Sequence, residues 1–178
     1  SFRNSQEEII DAVLCKKDVV ALLPTGAGKS LCYQIPALVN EGICLVISPL
    51  ISLMKDQTEQ LEKKGIKALT IKSNATTDEI VSLFDNLKFG RYKFLYISPE
   101  RLQSELILQK IKEISINLIA VDEAHCISEW GHDFRPSYRL INKIREILPQ
   151  INIIALTATA TKKVIVDIVE NLSLKNAS

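Results

Sequence analysis

The sequence lacks any apolar run long enough to cross a membrane, and it lacks the pattern of a secretory signal peptide. It also contains no low-complexity segment and no long internal repeat. The net charge is only +1, which excludes a global basic field, so any contact with a polyanion must be local. We therefore expect a globular, cytoplasmic protein with no membrane partner.

Cysteine is scarce, and its spacing excludes the common metal-binding patterns. The four cysteines are Cys15, Cys32, Cys44 and Cys126, and no two of them form a C-x-x-C pair, so the sequence does not suggest a zinc site. Three of the four lie in apolar segments typical of strands or helices. We expect reduced and mostly buried thiols.

The chain is long enough for one domain with a real core, since 47% of its 178 residues are hydrophobic. Apolar runs predict strands buried on both faces, over residues 19–23, 43–48, 68–71, 94–98, 118–122 and 152–156. The stretches between them predict helices over residues 50–64, 78–88, 105–114, 138–148 and 161–172. This alternation predicts a doubly wound α/β domain, with a mostly parallel sheet, helices on both faces and ligands at the carboxyl ends of the strands.

Local signals mark the ends of several helices. Ser5 and Glu8 predict a capping box at the start of a first helix. Gly65 fits the position just after the helix over residues 50–64.

A serine–proline pair follows two of the predicted strands, at Ser48-Pro49 and at Ser98-Pro99. Serine suits the N-cap of a helix and proline suits its first position. Good capping alone explains the pairs. Alternatively, the two helix starts offer N–H groups and hydroxyls to a phosphate backbone.

The most informative segment is residues 23–30, Leu-Pro-Thr-Gly-Ala-Gly-Lys-Ser, between a predicted strand and a helix-compatible stretch. In this context glycines let backbone N–H groups close around phosphate oxygens. Lys29 can reach the β- and γ-phosphates, and the Ser30 hydroxyl can ligate Mg²⁺. The usual first glycine is Leu23 here, and a plain glycine-rich turn is the alternative. The predicted phosphate-binding residues are Thr25, Gly26, Ala27, Gly28, Lys29 and Ser30.

An apolar strand also runs into two adjacent carboxylates, Asp122 and Glu123, followed by His125. Asp122 is expected to hold Mg²⁺, directly or through its water. Glu123 is expected to orient and deprotonate an attacking water. His125 lies too far along the chain from the strand end to be an obvious metal ligand. Lys29, Asp122 and Glu123 are therefore the predicted catalytic residues.

The segment over residues 126–139 contains Trp130, Phe134 and Tyr138, spaced by four. That spacing is typical of a helical core stripe. A glycine and a proline within the segment argue against one continuous helix. A loop that exposes these aromatic rings beside Arg135 suits stacking on bases, and we favour it.

Thr157 and Thr159 follow the last predicted strand. Alone they indicate an ordinary turn. Close to the acidic residues, their hydroxyls could pass hydrogen bonds towards a bound strand.

Together these residues resemble the N-terminal RecA-like lobe of superfamily-two helicases, and specifically the RecQ family. Asp-Glu-Ala-His at 122–125 and Thr-Ala-Thr at 157–159 look like the Walker B and third motifs. Residues 124–136 are similar to the aromatic-rich loop of RecQ proteins, which couples DNA binding to hydrolysis, and are the most family-specific stretch. The resemblance covers essentially the whole chain, residues 1–178.

The resemblance implies a RecA-like P-loop NTPase domain that uses ATP and Mg²⁺. Phe2-Arg3 with Gln6 looks like the RecQ nucleotide-recognition motif, in which the glutamine reads adenine edges and the arginine packs on the ring. Residues 48–57 look like the family's first DNA-contact motif. The residues predicted to contact DNA or couple it to hydrolysis are Ser48, Pro49, Leu50, Ser98, Pro99, His125, Trp130, Phe134, Arg135, Thr157 and Thr159.

The implied partners are single-stranded DNA, duplex junctions and a second RecA-like lobe of the same parent protein, with 3′-to-5′ movement. The location would be cytoplasmic, nucleoid-associated in a bacterium or nuclear in a eukaryote. The sequence shows no second lobe, arginine finger, zinc module, winged helix or HRDC domain, so we expect an excised lobe that is nearly inactive alone. A nucleotide-dependent switch, or an RNA helicase with a DEAH-type box, is the alternative.

Overall fold

The computed structural model describes residues 4–24 and 28–175. In this part of the chain six parallel strands form one sheet, in the order β1-β6-β5-β2-β4-β3. The strands are β1 (Val19–Leu22), β2 (Ile43–Ile47), β3 (Ala68–Thr70), β4 (Phe94–Ile97), β5 (Ile116–Val121) and β6 (Ile153–Thr157). The expected mostly parallel α/β sheet is confirmed.

Helices cover both faces of the sheet. They are α1 (Asn4–Leu14), α2 (Leu31–Val39), α3 (Ile51–Lys63), α4 (Thr77–Phe89), α5 (Glu105–Lys112), α6 (Asn142–Ile147) and α7 (Lys162–Asn171). Three short 3₁₀ helices span Pro99–Gln103, Ala124–Ile127 and Pro136–Ile141. None of the described helices is long and apolar enough to cross a membrane.

Strand periodicity divides the core into two clusters, because successive side chains point to opposite faces of a sheet. Along β2, Leu45 and Ile47 pack in the cluster under α4, α5, α6 and α7, whereas Cys44 and Val46 pack in the cluster under α1, α2 and α3. All five residues of β2 are buried. The continuous apolar runs of the sequence therefore reflect strands covered on both sides.

Helix α3 ends as the sequence predicts. Gly65 has a φ of +78°, its N–H donates to the Glu62 carbonyl, and the Ile66 N–H donates to the Leu61 carbonyl. This is a Schellman cap, which glycine favours because it adopts positive φ without a Cβ clash.

Two predicted helix starts are wrong. Ser5 lies inside α1, so it is not the residue of a capping box. Ser48 does not cap α3, because the extended residue Leu50 precedes the helix, which begins only at Ile51. Ser48 instead continues the sheet, since its N–H donates to the Ile97 carbonyl of β4.

The helix predicted over residues 138–148 is also wrong in form. It is a 3₁₀ helix, Pro136–Ile141, followed by the short α6. At the other serine–proline pair, Ser98 is the N-cap of Pro99–Gln103, with proline at the start, but its side chain makes no capping hydrogen bond.

A buried ion pair fixes the amino-terminal end of the sheet, opposite the predicted site. The Arg145 guanidinium donates to Asp18 across 2.5 Å, and both side chains are buried. Asp18 also accepts hydrogen bonds from the backbone N–H groups of Ile153 and Lys175. One carboxylate thus joins the starts of β1 and β6 to α6 and the segment after α7.

Candidate functional site

Lys29 meets both acidic residues at the carboxyl end of the sheet. Its Nζ lies 3.1 Å from Asp122 Oδ1 and 3.2 Å from Glu123 Oε1. Lys29 follows β1 and the two acids follow β5, two strands away in the sheet. The loop after β1 therefore reaches across the end of β6 to bring the predicted catalytic residues together.

The charges of this triad affect one another. Burial disfavours the charged form of Lys29, but Asp122 and Glu123 outweigh that effect and raise its pKa. Burial also raises the pKa of Asp122, only partly offset by the attraction of Lys29. Lys29 is thus held as a cation that partly neutralises two carboxylates in a shielded site.

Asp122 is fixed from both sides. Its side chain accepts a hydrogen bond from the Glu123 N–H at 2.9 Å, and its own N–H donates to the Ile47 carbonyl of β2. The buried Tyr138 hydroxyl donates to the Asp122 carbonyl across 2.8 Å. Burial raises the pKa of Tyr138, so the hydroxyl remains a donor.

Glu123 has a left-handed backbone, with a φ of +50°. Non-glycine residues rarely adopt this conformation, and it costs on the order of 1–3 kcal/mol. The turn aims the Glu123 carboxylate back at Lys29 and also places its Oε2 3.6 Å from His125 Nε2.

His125 connects the acidic residues to the end of β6. Its Nδ1 lies 2.8 Å from Thr157 Oγ1, and the Thr157 hydroxyl donates to the Thr159 carbonyl at 3.0 Å. Because Thr157 uses its only proton on Thr159, the His125 Nδ1–H is the donor to Thr157. Burial lowers the pKa of His125, which keeps the ring neutral with Nε2 facing Glu123.

Gln6 contacts the phosphate loop. Its Nε2 donates to the Gly28 carbonyl at 3.2 Å, and the side chain is buried. Gly28 has a φ of +73°, which favours glycine, and a Cβ there would displace the Gln6 amide from its contact.

A cavity of about 360 Å³ lies beside the triad. Besides the predicted Gly28, Lys29, Ser30, Asp122 and Glu123, it is lined by Tyr33, Leu53 and Gln57. The Tyr33 hydroxyl donates to Gln57 Oε1 at 2.9 Å and lies 3.0 Å from the Tyr96 hydroxyl. The sequence analysis did not single out Tyr33, and it placed Leu53 and Gln57 only in the segment over residues 48–57 that resembles a DNA-contact motif, because the contacts that join α2, α3 and β4 span long sequence separations.

The serine–proline pairs lie beside this end of the sheet. The Ser48 N–H donates to the Ile97 carbonyl, which extends the ladder between β2 and β4. Ser48, Ser98 and Pro99 are buried, whereas Leu50 is exposed and Pro49 is half-buried. Ser48 Oγ has no hydrogen-bond partner among the described residues.

The aromatic segment is a loop and not a helical stripe. Trp130 is 67% exposed, Phe134 is half-buried and Tyr138 is fully buried. Lys163 Nζ lies 4.5 Å from the centre of the Trp130 ring. Tyr138 therefore belongs to the core, while the Trp130 ring lies mostly in solvent beside Lys163.

Four predicted binding residues, Arg3, Thr25, Gly26 and Ala27, lie outside the described residues, as does Phe2. The structure brings Gln6, Gly28, Lys29, Asp122, Glu123, His125, Thr157 and Thr159 into one connected set. Ser30 lines the same cavity. The roles of all these residues remain predictions.

A parallel sheet with a phosphate loop after its first strand and an acidic pair after another defines the class of P-loop NTPases. The sequence profile of the DEAD/DEAH box helicase family matches residues 3–168. The chain belongs to this family and, within it, to the RecQ-type helicases as their N-terminal lobe.

Two relatives show the degree of similarity. The probable ATP-dependent DNA helicase RecS of Bacillus subtilis is 48% identical over 178 residues, covering 99% of this chain and 36% of RecS. The ATP-dependent DNA helicase RecQ of the same organism is 51% identical over 176 residues, covering 98% of this chain and 30% of RecQ. The chain thus spans about a third of the length of these relatives.

A solved structure agrees with the fold. The helicase domain of Hef from Pyrococcus furiosus superposes with a TM-score of 0.72 at 23% identity, covering 99% of this chain and 38% of the Hef chain. The RecA-like architecture is therefore confirmed, and membership of the family implies nucleotide use.

Proposed function

We propose that this chain is the first motor lobe of an ATP-dependent DNA helicase of the RecQ type, which couples ATP hydrolysis to movement on single-stranded DNA and to unwinding. The observation that carries the proposal is the connected set that runs from Lys29 through Glu123 and His125 to Thr157. Hydrogen bonds join Lys29 to Glu123 and His125 to Thr157, and between them the Glu123 carboxylate and the neutral His125 ring lie 3.6 Å apart.

At the nucleotide, Lys29 exchanges its carboxylate partners for the β- and γ-phosphates. Its raised pKa keeps the charge that this contact requires. Glu123 then loses one partner and is available to orient a water and accept its proton. Gln6, held at the Gly28 carbonyl, stands beside the loop to read the base.

The donor set fits Mg²⁺, which prefers hard oxygen ligands and keeps several waters. Asp122 provides a buried carboxylate, and Ser30 provides a hydroxyl in the same cavity. A bound Mg²⁺ would neutralise phosphate charge. Asp122 and Ser30 would hold it, while the Tyr138 hydroxyl keeps the Asp122 backbone in place.

Bound DNA would affect the nucleotide site through two elements, the end of β6 and the aromatic loop. Thr157 and Thr159 lie at the end of β6 and connect to Glu123 through His125. The aromatic loop follows the acidic residues directly and presents Trp130 for stacking on a base. Movement of either element would alter the surroundings of Glu123.

ATPase activity titrated with single-stranded DNA, and then with RNA, tests the proposal. The protein should carry the second lobe that we propose, and the salt concentration must be held constant because it governs phosphate contacts. We expect strong stimulation by DNA and weaker stimulation by RNA. Bound nucleotide without stimulation by DNA would favour a switch, and stronger stimulation by RNA would favour an RNA helicase.

A further inference from the structure

Both histidines of the chain lie together beside a buried cysteine and an aspartate. The rings of His125 and His132 stack with their centres 4.4 Å apart. One ligand atom each from His125, Cys126 and Asp133 lies within 4.8 Å of the other two. This combination of imidazole, thiol and carboxylate suits zinc-class divalent ions, unlike the all-oxygen set at Asp122.

The surroundings of His125 prepare it as a ligand. Its Nδ1–H donates to Thr157 Oγ1 at 2.8 Å, which leaves the lone pair of Nε2 available. Metal-bound histidines are commonly oriented by such a hydrogen bond from the other ring nitrogen. The stacked His132 further restrains the ring.

The other two groups complete the set from a single loop. The Cys126 thiol already points at Asp133, with Sγ and Oδ2 3.9 Å apart. Asp133 also accepts from Arg135 Nε at 3.3 Å, and a carboxylate has lone pairs enough for both partners. The Asp133 side chain is about half exposed, so its carboxylate is accessible to an ion that enters from solvent.

We propose that His125, Cys126 and Asp133 form a binding site for one Zn²⁺ or a similar borderline divalent ion, with a fourth position open to water. The Cys126 thiol loses its proton to solvent when the sulfur–metal bond forms. The ion ties the loop that carries Trp130 to the histidine that faces Glu123. Binding itself does not depend on the proposed function.

Cobalt(II) tests the site, since it substitutes for zinc and its absorption reports thiolate ligation. The 178-residue chain is titrated with Co²⁺ in excess Mg²⁺, which occupies oxygen-only sites, and Zn²⁺ is then added as competitor. We expect a thiolate-to-cobalt band that Zn²⁺ abolishes. The emission of Trp130, the only tryptophan, should change in parallel because it lies between Cys126 and Asp133 in the sequence.

Matched variants separate this site from other ligands. Cys126→Ser should abolish the band, whereas Cys15→Ser removes an exposed cysteine and should leave it. Asp133→Asn should weaken Co²⁺ binding, whereas Asp78→Asn, at an exposed position in the first turn of α4, should not. Asp133→Asn keeps the test valid if Cys126→Ser fails to fold. Co²⁺ binding that is unchanged in Cys126→Ser and Asp133→Asn, or that shows no thiolate band, would overturn the proposal.

A second readout rests on the proposed function. Zn²⁺ should lower DNA-stimulated ATPase in the wild type and have less effect in Asp133→Asn. If Zn²⁺ binds as expected but no DNA stimulation exists in any variant, the proposed function fails and the metal site stands.

Discussion

At the scale of single residues, Glu123 combines a left-handed backbone with contacts to a lysine and a histidine. Strain of this kind persists only where surrounding contacts fix it. Here Tyr138 holds the preceding carbonyl and Lys29 holds the carboxylate. The acidic pair and the lysine were predictable from local patterns, because their chemistry requires fixed spacing. The role of Tyr138 in holding the Asp122 carbonyl was not predictable, because the two residues lie on different elements.

Replacing Glu123 with glutamine should separate nucleotide binding from turnover. Glutamine keeps the shape and an oxygen near Lys29, but it cannot accept the proton of the attacking water. We expect ATP affinity to be retained and turnover to fall by roughly 10²- to 10⁴-fold in the two-lobed protein. Steady-state ATPase and equilibrium nucleotide binding measure the two effects. Glu129→Gln, an exposed neighbour, is the control, and normal turnover in Glu123→Gln would remove Glu123 from catalysis.

His125 should make stability depend on pH. Burial lowers its pKa below the unfolded value of about 6.5, so the unfolded chain binds a proton more readily than the folded chain. The free energy of unfolding should therefore fall as pH drops below about 7, by at most about 1.4 kcal/mol per pH unit from this group. Urea unfolding of wild type and His125→Gln across this range measures the contribution. An identical pH slope in the two proteins would contradict it.

At the scale of elements, the strands were predictable because burial on both faces leaves a continuous apolar run. The form of the short elements was not predictable from the sequence. Ala124–Ile127, Pro136–Ile141 and α6 carry too few residues for periodicity to decide their form, and tertiary contacts such as Tyr138 with Asp122 set their geometry. The aromatic loop is anchored to α7, because Ser128 donates to Asp167 at 2.5 Å and accepts from the Trp130 N–H.

Trp130→Ala should reduce DNA-stimulated ATPase more than basal ATPase. The ring is exposed and packs against Lys163, so its removal leaves the nucleotide site intact but takes away a stacking surface worth about 1–3 kcal/mol per base. ATPase with and without DNA in the two-lobed protein gives the comparison. Phe89→Ala, another exposed aromatic residue at the end of α4, is the matched control. Equal loss of basal and stimulated rates would assign Trp130 a structural role.

At the scale of the whole molecule, the candidate site and the buried ion pair that we expect to stabilise the fold lie at opposite ends of the sheet. The site lies at the carboxyl ends of the strands, and the Asp18–Arg145 pair lies at the amino ends. The doubly wound sheet and the position of the site were predictable from the alternation of apolar runs and helical stretches. The Asp18 junction was not, because it joins residues more than a hundred positions apart.

Asp18→Ala should destabilise the fold without weakening nucleotide binding. It leaves the buried Arg145 unpaired and removes acceptors from two backbone N–H groups, so we expect a loss of about 3–5 kcal/mol. Urea unfolding measures the loss, and nucleotide titration under folding conditions measures affinity. Asp11→Ala, on the exposed side of α1, should be nearly neutral. A similar small effect in both variants would contradict the assigned role of Asp18.

The chain alone should bind nucleotide weakly and hydrolyse it poorly. In related phosphoryl transfers an arginine finger contributes about 10³- to 10⁵-fold, and we propose that a second lobe supplies it here. Nucleotide titration and ATPase of the 178-residue chain, beside the two-lobed protein, test this. Robust strand separation by the chain alone would contradict it.

The pairing of β1 with β6 sets the order in which this part of the sheet can form during synthesis. Asp18 and its partner Ile153 are 135 residues apart, and β6 stands between β1 and the rest of the sheet. A ribosome that adds about 5–20 residues per second needs roughly 7–27 seconds to cover that interval. Throughout it, the apolar strand beside the phosphate loop has no neighbour to pair with. The apolar β1 is therefore the segment that a chaperone would shield during that interval.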